Sequence, residues 1–286
     1  MIFLFHFYCF LGLHLPLRLS YFIARRIADF YYLFARRRRE GVESNIRQVL
    51  AFQSQGSANR FLVKRYAKEA FYNFARYILE FCYLPKINRS NFEKFVAIKG
   101  KEYLDQAFAQ GKGVVSITAH LGNWELGGAI AGLLGYPMNA VALSHKKPGI
   151  NKMFIERREG QGVKIISLEK GLKKIIRVLK NNEIIALLGD RLIGDKGIEM
   201  EFFGRKTKLP QGPAALALKL GCPIVPGFLV RIKEGKLLLV FEPPILPTVT
   251  GNKEKDLEEL AQRALKIVEK YISAYPSQWL IFQPIW

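Results

Sequence analysis

The chain has 286 residues, and 44 Lys plus Arg against 24 Asp plus Glu leave a formal charge of +20. Half of it is apolar and 13% aromatic, which excludes a disordered polar chain, and the length suits one large domain or two modest ones. No Gly-X-Y period, long heptad array or repeat of roughly 20–50 residues appears, so collagen, long coiled coils and solenoids are excluded. The charge asks for an acidic partner, either nucleic acid or an anionic membrane. Cys9, Cys82 and Cys222 form neither a complete disulfide framework nor a metal spacing, and are expected as buried thiols in a reducing compartment.

Residues 1–17, MIFLFHFYCFLGLHLPL, carry no charged side chain when His6 and His14 are neutral. A helix of that length rises about 26 Å, slightly short of a hydrocarbon core of roughly 30 Å. Pro16 marks a break, residues 17–35 stay greasy but include Arg18, Arg25, Arg26 and Asp29, and Arg36 to Arg39 end the segment. A basic n-region and a small-residue cleavage site are both missing, which argues against a secretory signal. The remaining readings are a short span, a helix pair dipping into one leaflet, or a core hairpin, and the arginines favour membrane attachment with the rest of the chain on the cytoplasmic side. Residues 1–35 are therefore expected to anchor the chain and 36–286 to form its main domain.

Residues 59–84 place Phe61, Leu62, Tyr66, Ala70, Phe74, Tyr77, Ile78 and Phe81 three and four apart, with Lys64, Arg65, Lys68 and Arg76 between them. That is a helix, facing either the core or a membrane interface. From about Val96 the pattern changes. Strands are expected at 113–119, 138–143, 163–168, 184–188, 223–230 and 237–241, and helices at 126–134, 150–159, 172–180, 213–220 and 254–274. Such alternation implies an α/β fold, a mixed sheet flanked by helices, with its active edge at the C-terminal ends of the strands. No Gly-rich phosphate loop follows the first strand.

Directly after GVVSITA comes His120-Leu121-Gly122-Asn123-Trp124-Glu125. Across a strand-to-helix turn this spacing lets Glu125 fold back onto one ring nitrogen of His120. The other nitrogen is then left as a base, with the carboxylate stabilising the imidazolium. Gly122 permits a tight turn, and Asn123 is a good helix N-cap.

HLGNWE resembles the His-x4-Asp/Glu motif of the lysophospholipid acyltransferase superfamily and, more narrowly, of the bacterial lipid A biosynthesis lauroyl/myristoyl acyltransferases. The similarity runs through nearly the whole chain. Its blocks are Leu15-Pro16, Val42 to Ile46 (VESNI), residues 151–162 with Arg158 four before Gly162, Asp190 after IIALLG, Phe202-Phe203-Gly204, Pro210 to Ala214 (PQGPA), Val225-Pro226 and Pro276 to Trp279 (PSQW). Two departures stand out: Arg191 occupies the place of a usual Gln, and Pro284-Ile285 precede the last Trp where basic residues are common.

The resemblance implies a glycerolipid acyltransferase-like fold at the cell inner membrane. The reaction moves a fatty acyl group from a thioester, on acyl carrier protein or coenzyme A, to a hydroxyl of a membrane lipid such as a lipid A precursor. A glycolipid or lysophospholipid acceptor, of the phosphatidylinositol mannoside type, is the neighbouring possibility. His120 and Glu125 would form the base dyad. Arg158, Asp190 and Arg205 would contact substrate, with Asp190 organising Arg158 or positioning the acceptor. No cofactor or metal is implied, the thioester being a co-substrate. Nucleic acid is not expected as a partner, since the chain has no zinc finger, RNA-recognition aromatic block or basic tail. His6, His14 and His145 lack partners at useful spacing.

Overall fold

The computed structural model describes residues 2–143, 147–168, 171–194, 197–232 and 236–286. The chain opens with four helices. α1 (Ile2–His14) and α2 (Leu17–Phe34) are parted at Pro16, the break expected from its missing N–H. α3 (Arg36–Ser54) begins almost at once, so the arginine run forms its first turn, with Arg36, Arg37 and Arg38 in solvent. α4 (Arg60–Tyr83) starts where the Asn59 side chain accepts from the Phe61 and Leu62 N–H groups.

No helix among the described residues is long and apolar enough to cross a membrane. Instead α1 and α2 lie on α4. Tyr8, Leu11, Ala24 and Ala28 are buried in the same core cluster as Ala67, Phe71 and Phe81. The aromatic face of α4 points inward, as its periodicity allowed. The opposite face of α2 is open, with Phe22 61%, Phe30 65%, Leu33 63% and Phe34 82% exposed.

The body is a seven-stranded sheet of β1 (Val96–Lys99), β2 (Val114–Thr118), β3 (Met138–Ala142), β4 (Lys164–Ser167), β5 (Ile184–Leu188), β8 (Ile224–Arg231) and β9 (Leu237–Phe241). Its spatial order is β1-β9-β8-β2-β5-β3-β4, parallel throughout except between β8 and β9. The sheet is therefore mixed, as expected. β2 sits at its centre, and its first four residues, Ser116 included, are buried in succession because both faces are covered. One face carries the four N-terminal helices with α5 (Lys101–Phe108), α6 (Trp124–Leu133) and α7 (Pro148–Glu159). The other carries α8 (Leu172–Lys180), α9 (Gly212–Leu220) and α10 (Lys253–Ala274). Cys9, Cys82 and Cys222 are free and buried.

A separate hairpin, β6 (Gly197–Phe202) and β7 (Arg205–Pro210), is not evident from alternation along the chain. Its two-residue turn holds Phe203 at φ 51° and Gly204 at φ 72°, the left-handed pair of a type I′ turn. Phe203 tolerates that strain because its N–H donates to the buried Glu269 carboxylate and its ring packs against Trp279 and Trp286.

The C-terminal tail is held by Asn45 of α3. Its Nδ2 donates to the Ile281 (3.1 Å) and Gln283 (2.8 Å) carbonyls, and its Oδ1 accepts from the Ile285 N–H at 3.0 Å. Asn45→Ala removes one buried and two part-buried hydrogen bonds and is expected to cost about 2–4 kcal/mol, lowering Tm by roughly 5–10 °C. A thermal melt at neutral pH checks this, and an unchanged Tm would show that the tail is anchored elsewhere.

Candidate active site

β2 and β5 are hydrogen-bonded neighbours, and their C-terminal ends bring together two residues 70 positions apart. His120 follows β2 and Asp190 follows β5. The His120 ring Nδ1 lies 2.9 Å from Asp190 Oδ1, and the His120 backbone N–H donates to Oδ2, also at 2.9 Å. The Trp279 indole Nε1–H donates to the same Oδ2 at 2.8 Å. Asp190 has no exposed surface. Burial alone pushes its carboxyl up, but the His120 ring, the indole donor and the backbone N–H outweigh that and hold it below its ordinary value. A carboxylate facing Nδ1 favours the tautomer protonated there, which leaves Nε2 with its lone pair. The ring itself lines the cavity described below.

This corrects the pairing expected from spacing. Glu125 does not reach His120. With Asn123 as cap and Trp124 opening α6, Glu125 falls in the first turn and faces α7. There Arg158 grips it side-on through one edge of its guanidinium, Nε to Oε2 at 2.7 Å and Nη2 to Oε1 at 2.5 Å. The side chains are only 9% and 13% exposed, so this is a nearly dry ion pair. Desolvation works against the Arg158 charge, but Glu125 more than offsets it and the guanidinium is raised above its ordinary value. Asp190, in turn, organises His120 and not Arg158.

The turn between His120 and α6 is over-determined. Gly122 has φ 61°, and a Cβ there would lie 1.9 Å from the Leu229 carbonyl oxygen, so only glycine fits. Asn123 caps α6 by accepting from the Leu126 N–H at 3.0 Å, as expected, while its Nδ2 donates to Glu80 Oε2 at 2.8 Å. Glu80 is almost fully buried and also accepts from Tyr21 of α2 and Arg231 at the end of β8. Gln278 clasps the Arg231 backbone through both ends of its amide and accepts the Gly122 N–H on its carbonyl. Glu80, Arg231, Gln278 and Trp279 support the site but were not assigned to it from sequence. Glu80 lies in the last turn of α4 among aromatic residues, and Arg231 ends a strand, so neither carries a local chemical signal.

His120, Trp124, Glu125, Arg158 and Arg191 border a cavity of about 430 Å³. Its other walls are largely apolar, with Phe74, Tyr77 and Ile78 of α4, Met138 of β3 and Phe154 of α7 among them. Tyr77 stacks on Trp124 with ring centroids 4.4 Å apart, and Trp124 meets the His120 ring edge-on at 5.1 Å. Arg191 has a buried Nε with no hydrogen-bond partner among the described residues, a donor available to a substrate anion.

Arg205 is elsewhere. It begins β7 opposite Phe202, is exposed and does not border the cavity. His6 and His14 are exposed and do not border the cavity, and His145 lies outside the described residues. No group of three or more His, Cys, Asp or Glu residues able to hold a metal occurs among the described residues.

Comparison with known proteins adds the following. A family model described as bacterial lipid A biosynthesis acyltransferase matches residues 1–286. The chain is 30% identical over 220 residues to a phosphatidylinositol mannoside acyltransferase of Mycobacterium tuberculosis, covering 75% of this chain and 68% of that protein. It is 24% identical over 197 residues to a lipid A biosynthesis acyltransferase of Haemophilus influenzae, covering 68% and 59%. The crystal structure of a 1-acyl-sn-glycerophosphate acyltransferase from Thermotoga maritima superposes loosely, with a TM-score of 0.39 at 17% identity over 79% of this chain and 95% of that one.

The lowered Asp190 carboxyl makes a pH prediction. A depressed folded value means its charged form stabilises the fold above the unfolded carboxylate pKa of about 3.9, and that stability is lost as pH falls through the folded value. Wild-type protein should melt above Asp190→Asn by a gap that is constant from neutral pH to about 5 and narrows below about 4. Melting curves across that range check the sign, and a gap that widened in acid would mean Asp190 is held neutral.

Proposed function

Because the chain belongs to the bacterial lipid A biosynthesis acyltransferase family, we propose that this acyltransferase moves a fatty acyl group from an acyl thioester to a hydroxyl of a sugar-bearing membrane lipid. A lipid A precursor is the first acceptor reading. Phosphatidylinositol mannoside is the second, favoured by the higher identity to enzymes of that name. The observation that carries the proposal is a buried Asp190–His120 pair at the wall of a largely apolar cavity.

The apolar walls suit the acyl chain, each buried CH2 contributing about 0.8 kcal/mol. The thioester carbonyl then sits near His120. The imidazole takes the proton of the acceptor hydroxyl as its oxygen bonds to the carbonyl carbon. The tetrahedral centre collapses, the C–S bond breaks, and the imidazolium returns the proton to the leaving thiolate. No acyl-enzyme is needed. Asp190 stabilises the imidazolium while it exists. Arg158, fixed by Glu125, and Arg191 supply positive charge for a developing oxyanion or an acceptor phosphate. The donor is an acyl carrier protein or coenzyme A thioester, both acidic and suited to a chain of charge +20.

His120→Ala is expected to lower transfer from a labelled thioester by about 10²–10⁴-fold; because it also removes one partner of buried Asp190, the protein should stay folded but melt somewhat below wild type. Asp190→Asn should lose a comparable factor, and the double variant little more than either, because both residues serve one proton transfer. Glu125→Gln behaves differently. It leaves a nearly buried guanidinium uncompensated, so it should lower Tm as well as activity, by up to about 3–5 kcal/mol. Normal transfer by a folded His120→Ala protein would refute the mechanism. Lipid mass spectrometry with and without the protein identifies the acceptor.

The exposed α2 ridge is the proposed membrane contact, lying in one leaflet on the cytoplasmic side of an inner membrane. Since α1 and α2 are built into the core, deleting residues 1–35 would damage the fold. Phe30→Ser/Phe34→Ser leaves the core intact and should release much of the protein from sedimented membranes in high salt. Unchanged sedimentation would place the contact elsewhere.

A further inference from the structure

Outside the catalytic cavity, α2 and α4 border a second cleft of about 390 Å³, whose charged lining is Arg25, Arg65, Lys68 and Arg76 against a single carboxylate, Glu69. Its charges are not balanced. Arg65 is paired with Glu69 at 3.1 Å and Lys68 with Asp29 at 3.5 Å. Among the described residues, neither Arg25 nor Arg76 has an ion-pair partner. They face aromatic rings instead, Arg25 4.8 Å from Tyr72 and Arg76 6.0 Å from Tyr21. Arg76 is half-buried, and its own desolvation, together with the like charges of Arg231 and Arg25, pulls its guanidinium below the ordinary value. The carboxylate nearest to it in effect, Glu80, is already engaged by Arg231, Tyr21 and Asn123. Arg76 and Arg231 thus share one carboxylate, Arg25 adds a further like charge beside Arg76, and the deficit calls for an anion.

We propose that this cleft binds the headgroup phosphate of an anionic membrane lipid through the guanidinium groups of Arg25 and Arg76. The surroundings select a lipid over an acidic protein. At 100° per residue, Phe22 and Leu33 stand about 60° and 80° round α2 from Arg25. They belong to the exposed ridge that also holds Phe30 and Phe34. A headgroup at the cleft therefore has its acyl chains beside an apolar surface, which an acidic protein face would leave uncovered. The site is also distinct from the reaction cavity, whose α4 contacts, Phe74, Tyr77 and Ile78, lie on another face of that helix. It rests on the membrane-contact part of the proposed function.

The test uses the full chain and two vesicle types, phosphatidylcholine alone and phosphatidylcholine doped with phosphatidylglycerol. Arg25→Gln/Arg76→Gln is compared with the charge-matched Arg36→Gln/Arg37→Gln. The cleft variant should lose roughly 30- to 100-fold in affinity for doped vesicles and keep its affinity for neutral ones, with the control losing much less. Arg25→Gln alone, at an exposed position, should show an intermediate loss with an unchanged melt, which guards against a folding defect at Arg76. Equal losses by both double variants would reduce the cleft to part of the general field and overturn the site. So would stabilisation by inorganic phosphate without any vesicle effect, or loss of acyl carrier protein binding with vesicle binding intact. A wild-type chain that binds neither vesicle would instead overturn the membrane contact itself.

Discussion

The arrangement around β2 depends on one buried carboxylate. Asp190 has no exposed surface, and its charge is tolerable only because one backbone N–H, one indole N–H and an imidazole converge on it. Each donor comes from a different part of the chain: His120 from the end of β2, Trp279 from the short turn after α10. Satisfying Asp190 therefore fixes the β2–β5 edge, the C-terminal tail and the His120 ring in one step. The same electrostatic demand that stabilises the fold orients the base.

Around that centre the helical layer acts as a second constraint. Glu80 links α2, α4, the α6 cap and the end of β8 through Tyr21, Asn123 and Arg231. The Glu125–Arg158 pair joins α6 to α7 across the cavity wall. These charges sit in a poorly solvated region, where removing one partner costs far more than the intact pair returns. Two charged clamps thus frame an otherwise apolar cavity and hold its shape, while Arg191 contributes a donor that the protein itself leaves unused.

The N-terminal helices serve two environments at once. Ala24 and Ala28 permit close approach to α4, whereas Phe22, Phe30, Leu33 and Phe34 stay in solvent on the other side of the same helix. The proposed one-leaflet contact rests on that ridge, and Arg25, Arg26 and Asp29 on the same helix would be costly inside a bilayer.

Local pattern was enough for the alternating strands and helices, the Pro16 break, the Asn123 cap and the Gly122 turn, because each depends on residues within one helical turn or strand. It also singled out His120 and Glu125, while Arg158 and Asp190 came from the family resemblance; the fold gathers all four into one region. Which carboxylate serves which cation was not local information. A five-residue spacing made Glu125 the natural partner for His120, but the helix starting at Trp124 turns it toward α7, and the β2–β5 register delivers Asp190 in its place. Arg205 failed for the same reason, since the β6–β7 turn carries it away from the cavity. Glu80 and Arg231 were invisible because a buried charge is identified by its partners, and theirs lie 59 and 151 residues apart in the chain. Sequence determined which segments form and which side chains can do chemistry; tertiary structure alone decided which charges meet, because desolvation rewards only pairs that converge in space.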